Sequence, residues 1–392
     1  MIASSSRSLP WALIGAACLG SFAATSSGTT RAPFLLEMAQ DLDVSMPLVA
    51  NLVSLTAMAW GIVSALGGWM SDVIGRRPIL LIAPFALALA LVAQAAAGSF
   101  FWVAVWATVG GGCAGAFTGV VFAEVSAHVP DSQRGRALGW VMSGQSLTLV
   151  VGVPMAAAVG SVIGWRGWLL CVAGLSIAAI LSLFLTVGRG SAGRMRGAGA
   201  RPSMRSALSP RVLALLSTGV AERICYGLAV VYFATFMQVT YHMTLIELAV
   251  PLAVFALGNI AGTVAGGQLA DRLRDRLLTF AVAMALSGVA ALVLFTWHPG
   301  PAVSVAVGFV YVLLNALGRP SFMASLASVP EDVRGTVLGL NGTSASVGWI
   351  GAAALGAVMI GSVGFEGFGP LTALLALLGA GGALLSRRSR GS

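Results

Sequence analysis

The chain has 392 residues, of which 58% are hydrophobic and only 9% are charged, and its formal net charge is +9. Ordinary soluble domains carry roughly 25% charged residues, so this composition excludes a soluble globular protein and indicates a membrane protein. The arginines are spread over short segments between apolar runs and form no basic patch with interleaved aromatic residues. The charge therefore indicates membrane topology, with a lipid bilayer and no nucleic acid as the partner.

Apolar runs follow one another along nearly the whole chain. About 20 apolar residues cross a bilayer as a helix, because backbone groups in lipid must form hydrogen bonds within their own segment. We therefore predict an all-α membrane protein with twelve transmembrane helices. The predicted spans are 10–36, 47–68, 78–98, 100–123, 138–160, 167–187, 211–238, 246–268, 277–297, 301–326, 336–360 and 368–386.

Arginine sets the predicted orientation, since the sequence contains no lysine. With twelve spans, the arginines of the loops and termini fall on one side of the membrane, and the opposite side holds little beyond Arg166. The positive-inside rule makes the arginine-rich side cytoplasmic. The sequence thus predicts a multi-pass protein of the cytoplasmic (inner) membrane with both termini in the cytoplasm.

The first predicted span carries one basic residue, Arg31, near its outer end. Two interpretations stay open at this point. The side chain either reaches a central cavity or extends to the outer interface beside Glu37, because a long basic side chain can place its charged end in water.

A short polar segment, 67–81, separates the second and third predicted spans. Its glycines and charged residues are Gly67, Gly68, Asp72, Gly75, Arg76 and Arg77. Glycine permits close approach of the backbone, and the arginines alone are explained by topology. A carboxylate contributes nothing to retention of a loop in the cytoplasm, so Asp72 indicates a further role for this segment.

The fourth and fifth predicted spans add a second group of candidates. Glu124, at the cytoplasmic end of the fourth span, precedes Arg134, which predicts a structural salt bridge. In the fifth span Gln145 is a candidate for the cavity lining. Gly152 and Pro154 predict a kinked or closely packed helix, because proline removes a backbone hydrogen bond and glycine permits close helix packing.

The segment 188–210 is rich in Gly, Ser and Arg and reads as a flexible cytoplasmic linker. It separates an N-terminal bundle of six helices, 1–187, from a C-terminal bundle of six, 211–392. The two bundles are similar in sequence, since "VPDSQRGRALG" from Val129 matches "VPEDVRGTVLG" from Val329. A pseudo-symmetric duplication is therefore predicted.

The same duplication relates other polar positions. Arg134 aligns with Arg334, and "GGWMSD", which ends at Asp72, aligns with "GGQLAD", which ends at Asp271. Two similar halves joined by a basic linker have the architecture of a transporter in which one half rocks against the other around a site at the membrane midplane.

Three charged residues stand out because they lie well inside predicted spans, away from the ends: Glu222 and Arg223 in the seventh and Arg319 in the tenth. Such a charge costs about 2.5–3.5 kcal/mol on insertion scales, so each side chain is expected to face a cavity or a partner. Tyr311 and Asn315 precede Arg319 at intervals of four and share its helix face, as Tyr226 shares the face of Glu222.

Gly68, Asp72, Gly75, Arg76 and Arg77 resemble the loop signature of the major facilitator superfamily, Gly-x-x-x-Asp-x-x-Gly-Arg-Arg/Lys. The resemblance covers almost the whole chain. Within the superfamily, the chain resembles the twelve-helix branch of drug and metabolite proton antiporters. It implies a cytoplasmic latch that pairs in one state and separates in the other. The expected latch residues are Gly68, Asp72, Gly75, Arg76, Arg77, Glu124, Arg134, Asp271 and Arg334.

The resemblance also implies a central cavity lined by the first, fourth, seventh and tenth helices. The expected cavity residues are Arg31, Gln145, Arg223, Tyr226, Tyr311, Asn315 and Arg319. Gly152 and Pro154 are similar to the proline-glycine motif of the exporter branches, although Val153 separates them.

For coupling we hypothesise that Glu222 carries the proton and that Arg319 is its exchangeable partner. Burial disfavours a charged carboxylate and a nearby arginine favours it, and this competition permits proton exchange. The alternative is a permanent structural pair between Glu222 and Arg319 or Arg223.

The expected function is secondary active transport by alternating access, with protons and a small molecule as partners. The leading hypothesis is proton-coupled antiport that exports drug-like molecules or metabolites. The alternative is proton-coupled import of a small organic anion, which is suggested by the excess of arginine within the predicted spans. A monomer without cofactor or metal is expected. An enzyme is not expected, because His128, His242 and His298 are scattered over predicted helix ends.

Overall fold

A computed structural model of the chain describes residues 10–129, 131–187, 209–273, 275–326 and 331–388. Within these ranges it leaves out the side chains of residues 65, 67–70, 72–73, 131–136, 211, 271, 331–336, 338–339 and 388. The described chain is almost entirely helical and contains no strand. Most of the predicted linker, 188–210, lies outside the described residues.

Fourteen α-helices make up the described part of the chain. They are α1 (Trp11–Thr29), α2 (Leu35–Asp41), α3 (Met46–Ala50), α4 (Leu52–Ile74), α5 (Arg76–Ala96), α6 (Phe100–Ala127), α7 (Asp131–Leu147), α8 (Val153–Thr186), α9 (Pro210–Tyr241), α10 (Ala249–Arg272), α11 (Arg276–Thr296), α12 (Pro301–Leu326), α13 (Glu331–Ser362) and α14 (Phe368–Arg388). Ala32–Phe34 and Phe365–Gly367 form short 3₁₀ helices.

Ten segments of the described chain are long and apolar enough to cross a membrane. One of them, Ala137–Thr186, has 50 residues and covers both the fifth and the sixth predicted spans. Its helix bends at Gly164, whose φ of +69° is one that only glycine adopts readily. Helix α1 occupies the first predicted span but is not among the ten. An all-helical, multi-pass membrane fold is thus confirmed, and the count of twelve spans stays a prediction.

Several helix boundaries have a local cause. Gly75, with φ +93°, turns the chain between α4 and α5. The side chains of Ser209 and Asp275 accept hydrogen bonds from the free backbone N–H groups at the starts of α9 and α11. Asp275 also pairs with Arg387 near the end of α14, at 2.5 Å.

The chain forms two compact units. Unit 1 comprises Met1–Thr30, Ala59–Gly152 and Ile163–Arg196, and unit 2 comprises Arg31–Met58, Val153–Val162 and Gly197–Ser392. Unit 2 therefore includes two segments from the first half of the sequence. Inside it the 3₁₀ helix Ala32–Phe34 contacts α9, and α3 contacts α13.

Small residues bring helices together inside unit 1. Helix α1 packs against α6 and α7, and α5 packs against α6. Gly144 of α7 lies against the backbone carbonyl of Cys18, and Gly115 of α6 lies against that of Trp60. A Cβ atom at either glycine would collide with backbone, so these contacts require glycine.

Unit 2 is built in the same way. Gly262 and Gly266 of α10 lie against the backbone carbonyls of Leu313 and Leu317 in α12. Helices α11 and α14 pack together, and α9 packs on α13 and α14. The hydroxyl of Tyr311 in α12 donates to the carbonyl of Cys225 in α9, at 2.6 Å. This bond joins the two helices that carry the charged residues predicted to lie inside the membrane.

Candidate functional site

A buried ion pair joins α9 to α12 in unit 2. Both Nε and Nη2 of Arg319 donate to Oε1 of Glu222, at 3.1 and 3.0 Å. The Glu222 side chain is 2% exposed and that of Arg319 is 16% exposed. Two hydrogen bonds from one guanidinium edge are a strong, oriented form of ion pair.

A second arginine contacts the same carboxylate. Nε of Arg223 lies 3.5 Å from Oε2 of Glu222, so each carboxylate oxygen faces a different guanidinium group. The cluster holds two positive charges and one negative charge, and it keeps a net charge of +1 inside a predicted span.

Amide oxygens bind the rest of the Arg319 guanidinium. Its Nη2 donates to Oδ1 of Asn315, at 3.3 Å, and its Nη1 donates to Oδ1 of Asn259, at 3.5 Å. Asn315 belongs to the polar stripe predicted on α12, and Asn259 comes from α10. These two oxygens give the guanidinium acceptors other than the carboxylate.

Aromatic rings border the cluster. Cζ of Arg319 lies 4.4 Å from the centre of the Tyr226 ring and that of Arg223 lies 6.0 Å from it, so the ring stabilises both cations through its π face. Tyr226 in turn packs edge-on against Trp349 of α13, with ring centres 5.9 Å apart. Tyr311 is buried and bonded to α9, which makes it a contact between helices.

The electrostatics of this cluster allow one defined exchange. With Glu222 ionised, the carboxylate neutralises one of the two arginines. A proton on Glu222 would remove the attraction, and Arg319 would then depend on Asn259 and Asn315 for its hydrogen bonds. In the described geometry Arg319 bonds to Glu222, Asn259 and Asn315 at the same time, so the two amide oxygens supplement the carboxylate as acceptors.

Arg31 lies apart from this cluster in unit 2. Its side chain is buried, at 3% exposure, and Nη1 donates to Oγ1 of Thr56, at 3.0 Å. Among the described residues no carboxylate lies within salt-bridge distance of Arg31. The protein itself encloses the guanidinium, and the position of Arg31 relative to the outer interface and Glu37 stays a prediction.

Gln145, Gly152 and Pro154 lie along α7 and the start of α8. Gln145 is half-buried in unit 1. Thr148–Gly152 form a π-helical turn directly before α8, and Pro154 stands in the first turn of α8. Proline has no backbone N–H to donate, and π turns often occur where regular helical bonding is interrupted.

The start of α5 and the end of α6 meet through Arg76. Its Nη1 lies 3.7 Å from Oε2 of the fully buried Glu124 and donates to the Ala123 carbonyl at 3.3 Å. His128 lies 3.6 Å from the other Glu124 oxygen. The Arg77 guanidinium rests on the Phe184 ring, 5.5 Å from its centre. Gly68 belongs to α4, and the side chains of Asp72, Arg134, Asp271 and Arg334 lie outside what the structure describes.

Sequence reasoning missed Thr56 and Trp349. Thr56 stands with Ser54 in an otherwise apolar run. Its hydroxyl donates to the Leu52 carbonyl one helical turn earlier, and nothing in this local pattern indicates a contact with Arg31. Trp349 is an ordinary residue of an apolar helix by sequence. Among the described residues no group of three or more His, Cys, Asp or Glu side chains could hold a metal ion.

Comparisons with known proteins agree on one family. The family model described as Major Facilitator Superfamily matches residues 17–353 and 224–390. The inner membrane transport protein YdhP of Escherichia coli (strain K12) is 27% identical over 372 residues, with 93% of each chain covered. The chloramphenicol resistance protein of Streptomyces lividans is 26% identical over 311 residues, which cover 76% of this chain and 79% of that one.

Solved structures share the fold. A bacterial homologue of the human lysosomal transporter Spinster, in an inward-facing and occupied conformation, has a TM-score of 0.79 at 15% identity, with 98% of each chain covered. The nucleoside transporter NupG has a TM-score of 0.77 at 14% identity, covering 97% of this chain and 100% of that one.

Proposed function

This chain belongs to the Major Facilitator Superfamily of membrane transporters, and from that premise we propose that it is a proton-coupled antiporter that exports small organic molecules. The observation that carries the proposal is the buried pair of Glu222 and Arg319 on α9 and α12. A buried carboxylate paired with an arginine is suited to proton coupling, because burial favours its protonated form and the arginine favours its ionised form. A relative named for chloramphenicol resistance supports export as the direction.

In the proposed cycle Glu222 alternates between two partners. Ionised Glu222 holds Arg319 through two hydrogen bonds to Oε1. When a proton binds to the carboxylate, Arg319 loses the ionic attraction of Glu222 and is held by the hydrogen bonds that it already donates to Asn259 and Asn315. Arg223, whose Nε lies 3.5 Å from Oε2 of Glu222, promotes loss of the proton from Glu222 because its positive charge stabilises the ionised carboxylate.

Outside this cluster we assign two further roles to residues of the first half. The segment around Asp72, Arg76 and Arg77 acts as the cytoplasmic latch, with Glu124 as the buried partner of Arg76. The irregular turn before Pro154 allows the α7–α8 segment to bend during the cycle. The protein is proposed to work as a monomer in the inner membrane with both termini cytoplasmic.

The test uses purified protein in proteoliposomes with an imposed pH gradient and labelled chloramphenicol as the first probe of a small-molecule panel. Wild type should drive the probe against its gradient. Glu222→Gln should lose this driven transport and keep exchange of labelled for unlabelled probe. Glu366→Gln is the matched control, because Glu366 is exposed and the change in charge is the same. Equal driven transport in Glu222→Gln would reject the proposal.

One observation favours the alternative of proton-coupled import of an organic anion. Arg31, Arg223 and Arg319 outnumber Glu222 among the enclosed charged groups of unit 2. An anion would bind to this excess of positive charge and enter together with a proton. Reversing the imposed pH gradient separates the two modes, since an antiporter and a symporter accumulate the probe under gradients of opposite sign.

A further inference from the structure

Arg31 is the buried cation that the proposed coupling does not use. Its Nη1 donates to Thr56, whereas Nε and Nη2 are buried and have no hydrogen-bond acceptor among the described residues. A buried guanidinium group with two unsatisfied donors and no carboxylate beside it is unfavourable. The unfavourable energy is relieved by a ligand that brings both acceptors and negative charge.

The two free donors lie on the same edge of the guanidinium plane. Nε and Nη2 point in parallel, and this edge matches the two oxygens of a carboxylate. Arg319 directs the same edge at the Glu222 carboxylate, where both donors reach the single oxygen Oε1 because Oε2 faces Arg223. Arg31 presents an equivalent edge without an internal carboxylate.

Thr56 fixes the orientation of this edge. The Thr56 hydroxyl donates to the Leu52 carbonyl, at 2.7 Å, so its oxygen is left to accept from Nη1 of Arg31. The hydroxyl proton is therefore committed within α4. The contact holds one side of the guanidinium and leaves the Nε and Nη2 side for another acceptor.

From this geometry we propose that Arg31 binds the carboxylate group of a small organic acid through Nε and Nη2. The site is formed within unit 2 by Arg31 and Thr56. The 3₁₀ helix that follows Arg31 contacts α9, on which Oγ1 of Thr235 and Oε1 of Gln238 are further buried atoms without a hydrogen-bond partner among the described residues. The inference does not depend on proton coupling or on the direction of transport.

The experiment measures thermal unfolding of the purified full-length protein by tryptophan fluorescence. Sodium benzoate and sodium acetate are titrated against sodium chloride at constant ionic strength. The carboxylates should raise the unfolding temperature in a saturable way, because a ligand that binds only the folded state stabilises it. Chloride, which lacks two coplanar oxygens, should have a smaller effect at every concentration.

Variants assign the effect to Arg31. Arg31→Met should abolish the benzoate shift, and without ligand this variant should unfold at the same or a higher temperature, because an uncompensated buried charge is gone. Arg31→Lys keeps the charge and loses the paired donors, so it should weaken benzoate binding about 10-fold or more. Arg272→Gln, which changes the same charge at an exposed position on α10, should keep the full shift.

Several results would overturn the proposal: no carboxylate shift in wild type, an undiminished shift in both Arg31 variants, or equal shifts with chloride and benzoate. Glu222→Gln should keep the benzoate shift, which separates failure of this site from failure of proton coupling. Exchange of labelled benzoate across vesicles would identify the acid as a transported solute. Stabilisation without exchange would identify a ligand that stays bound, and both results support the site.

Discussion

Replacing Glu222 with Gln removes the negative charge between two arginines of unit 2. At 3.0 Å the attraction between Glu222 and Arg319 is about 5 kcal/mol at an effective dielectric constant of about 20. Both arginine side chains keep some exposure, 16% and 23%, so part of this loss is recovered by hydration. We expect Glu222→Gln to lower the free energy of unfolding by about 3 kcal/mol, at the lower end of the range for breaking a buried pair.

Replacing Arg319, the other member of the pair, is expected to lower the free energy of unfolding by less. In Arg319→Gln the carboxylate keeps Arg223 at 3.5 Å, so the expected loss is about 2 kcal/mol. The double variant removes both charges of the pair and leaves Arg223 alone. It should be less destabilised than the sum of the single variants, with a coupling energy of about 2 kcal/mol.

The assay is denaturant unfolding of the four proteins in one detergent, followed by tryptophan fluorescence. A second cycle on the exposed pair of Asp275 and Arg387 serves as the control, and its coupling should stay below about 1 kcal/mol. A coupling energy between Glu222 and Arg319 no larger than that of the control pair would contradict this expectation. It would mean that the buried pair contributes no more than a surface ion pair.

Three further predictions concern unit 1 and the start of α8. Gly144→Ala should destabilise by about 1–3 kcal/mol because its Cβ atom meets the backbone of α1, whereas the Cβ atom of Gly139→Ala on the same helix meets nothing within 4 Å, so this variant should unfold near the wild-type temperature. Arg76→Gln should lower the unfolding free energy by about 1–2 kcal/mol, and adding Glu124→Gln should recover part of it; a fully additive double variant would contradict this pairing. Pro154→Ala should slow transport several-fold with little change in the unfolding temperature, and unchanged turnover would show that the π turn is not used in the cycle.

Hydropathy and helical periodicity account for much of what the sequence predicts correctly. Apolar runs locate the long helices because a bilayer demands internal backbone bonding. The interval of four residues places Tyr311, Asn315 and Arg319 on one face of α12, and in the structure Tyr311 contacts α9 while Arg319 reaches Glu222. Helix faces are local properties of a sequence, so they can be derived from spacing.

Contacts between segments distant in sequence could not be predicted from residue spacing. The pairing of Arg31 with Thr56 depends on how the chain turns after α1, and nothing in the spacing of these residues specifies it. Trp349 and Asn259 reach the charged cluster because α13 and α10 pack where glycines allow close approach. The kink at Gly164 likewise lies between two helical stretches that follow each other directly in Ala137–Thr186, the segment that covers the fifth and sixth predicted spans.

The most direct test of the account follows protons themselves. A pH-sensitive dye enclosed in proteoliposomes reports proton movement when a transported probe is added on one side without an imposed pH gradient. Wild type and Glu366→Gln should move protons in proportion to the probe, and Glu222→Gln should move the probe without protons. An equal proton signal in Glu222→Gln would contradict the assignment of Glu222 as the proton carrier.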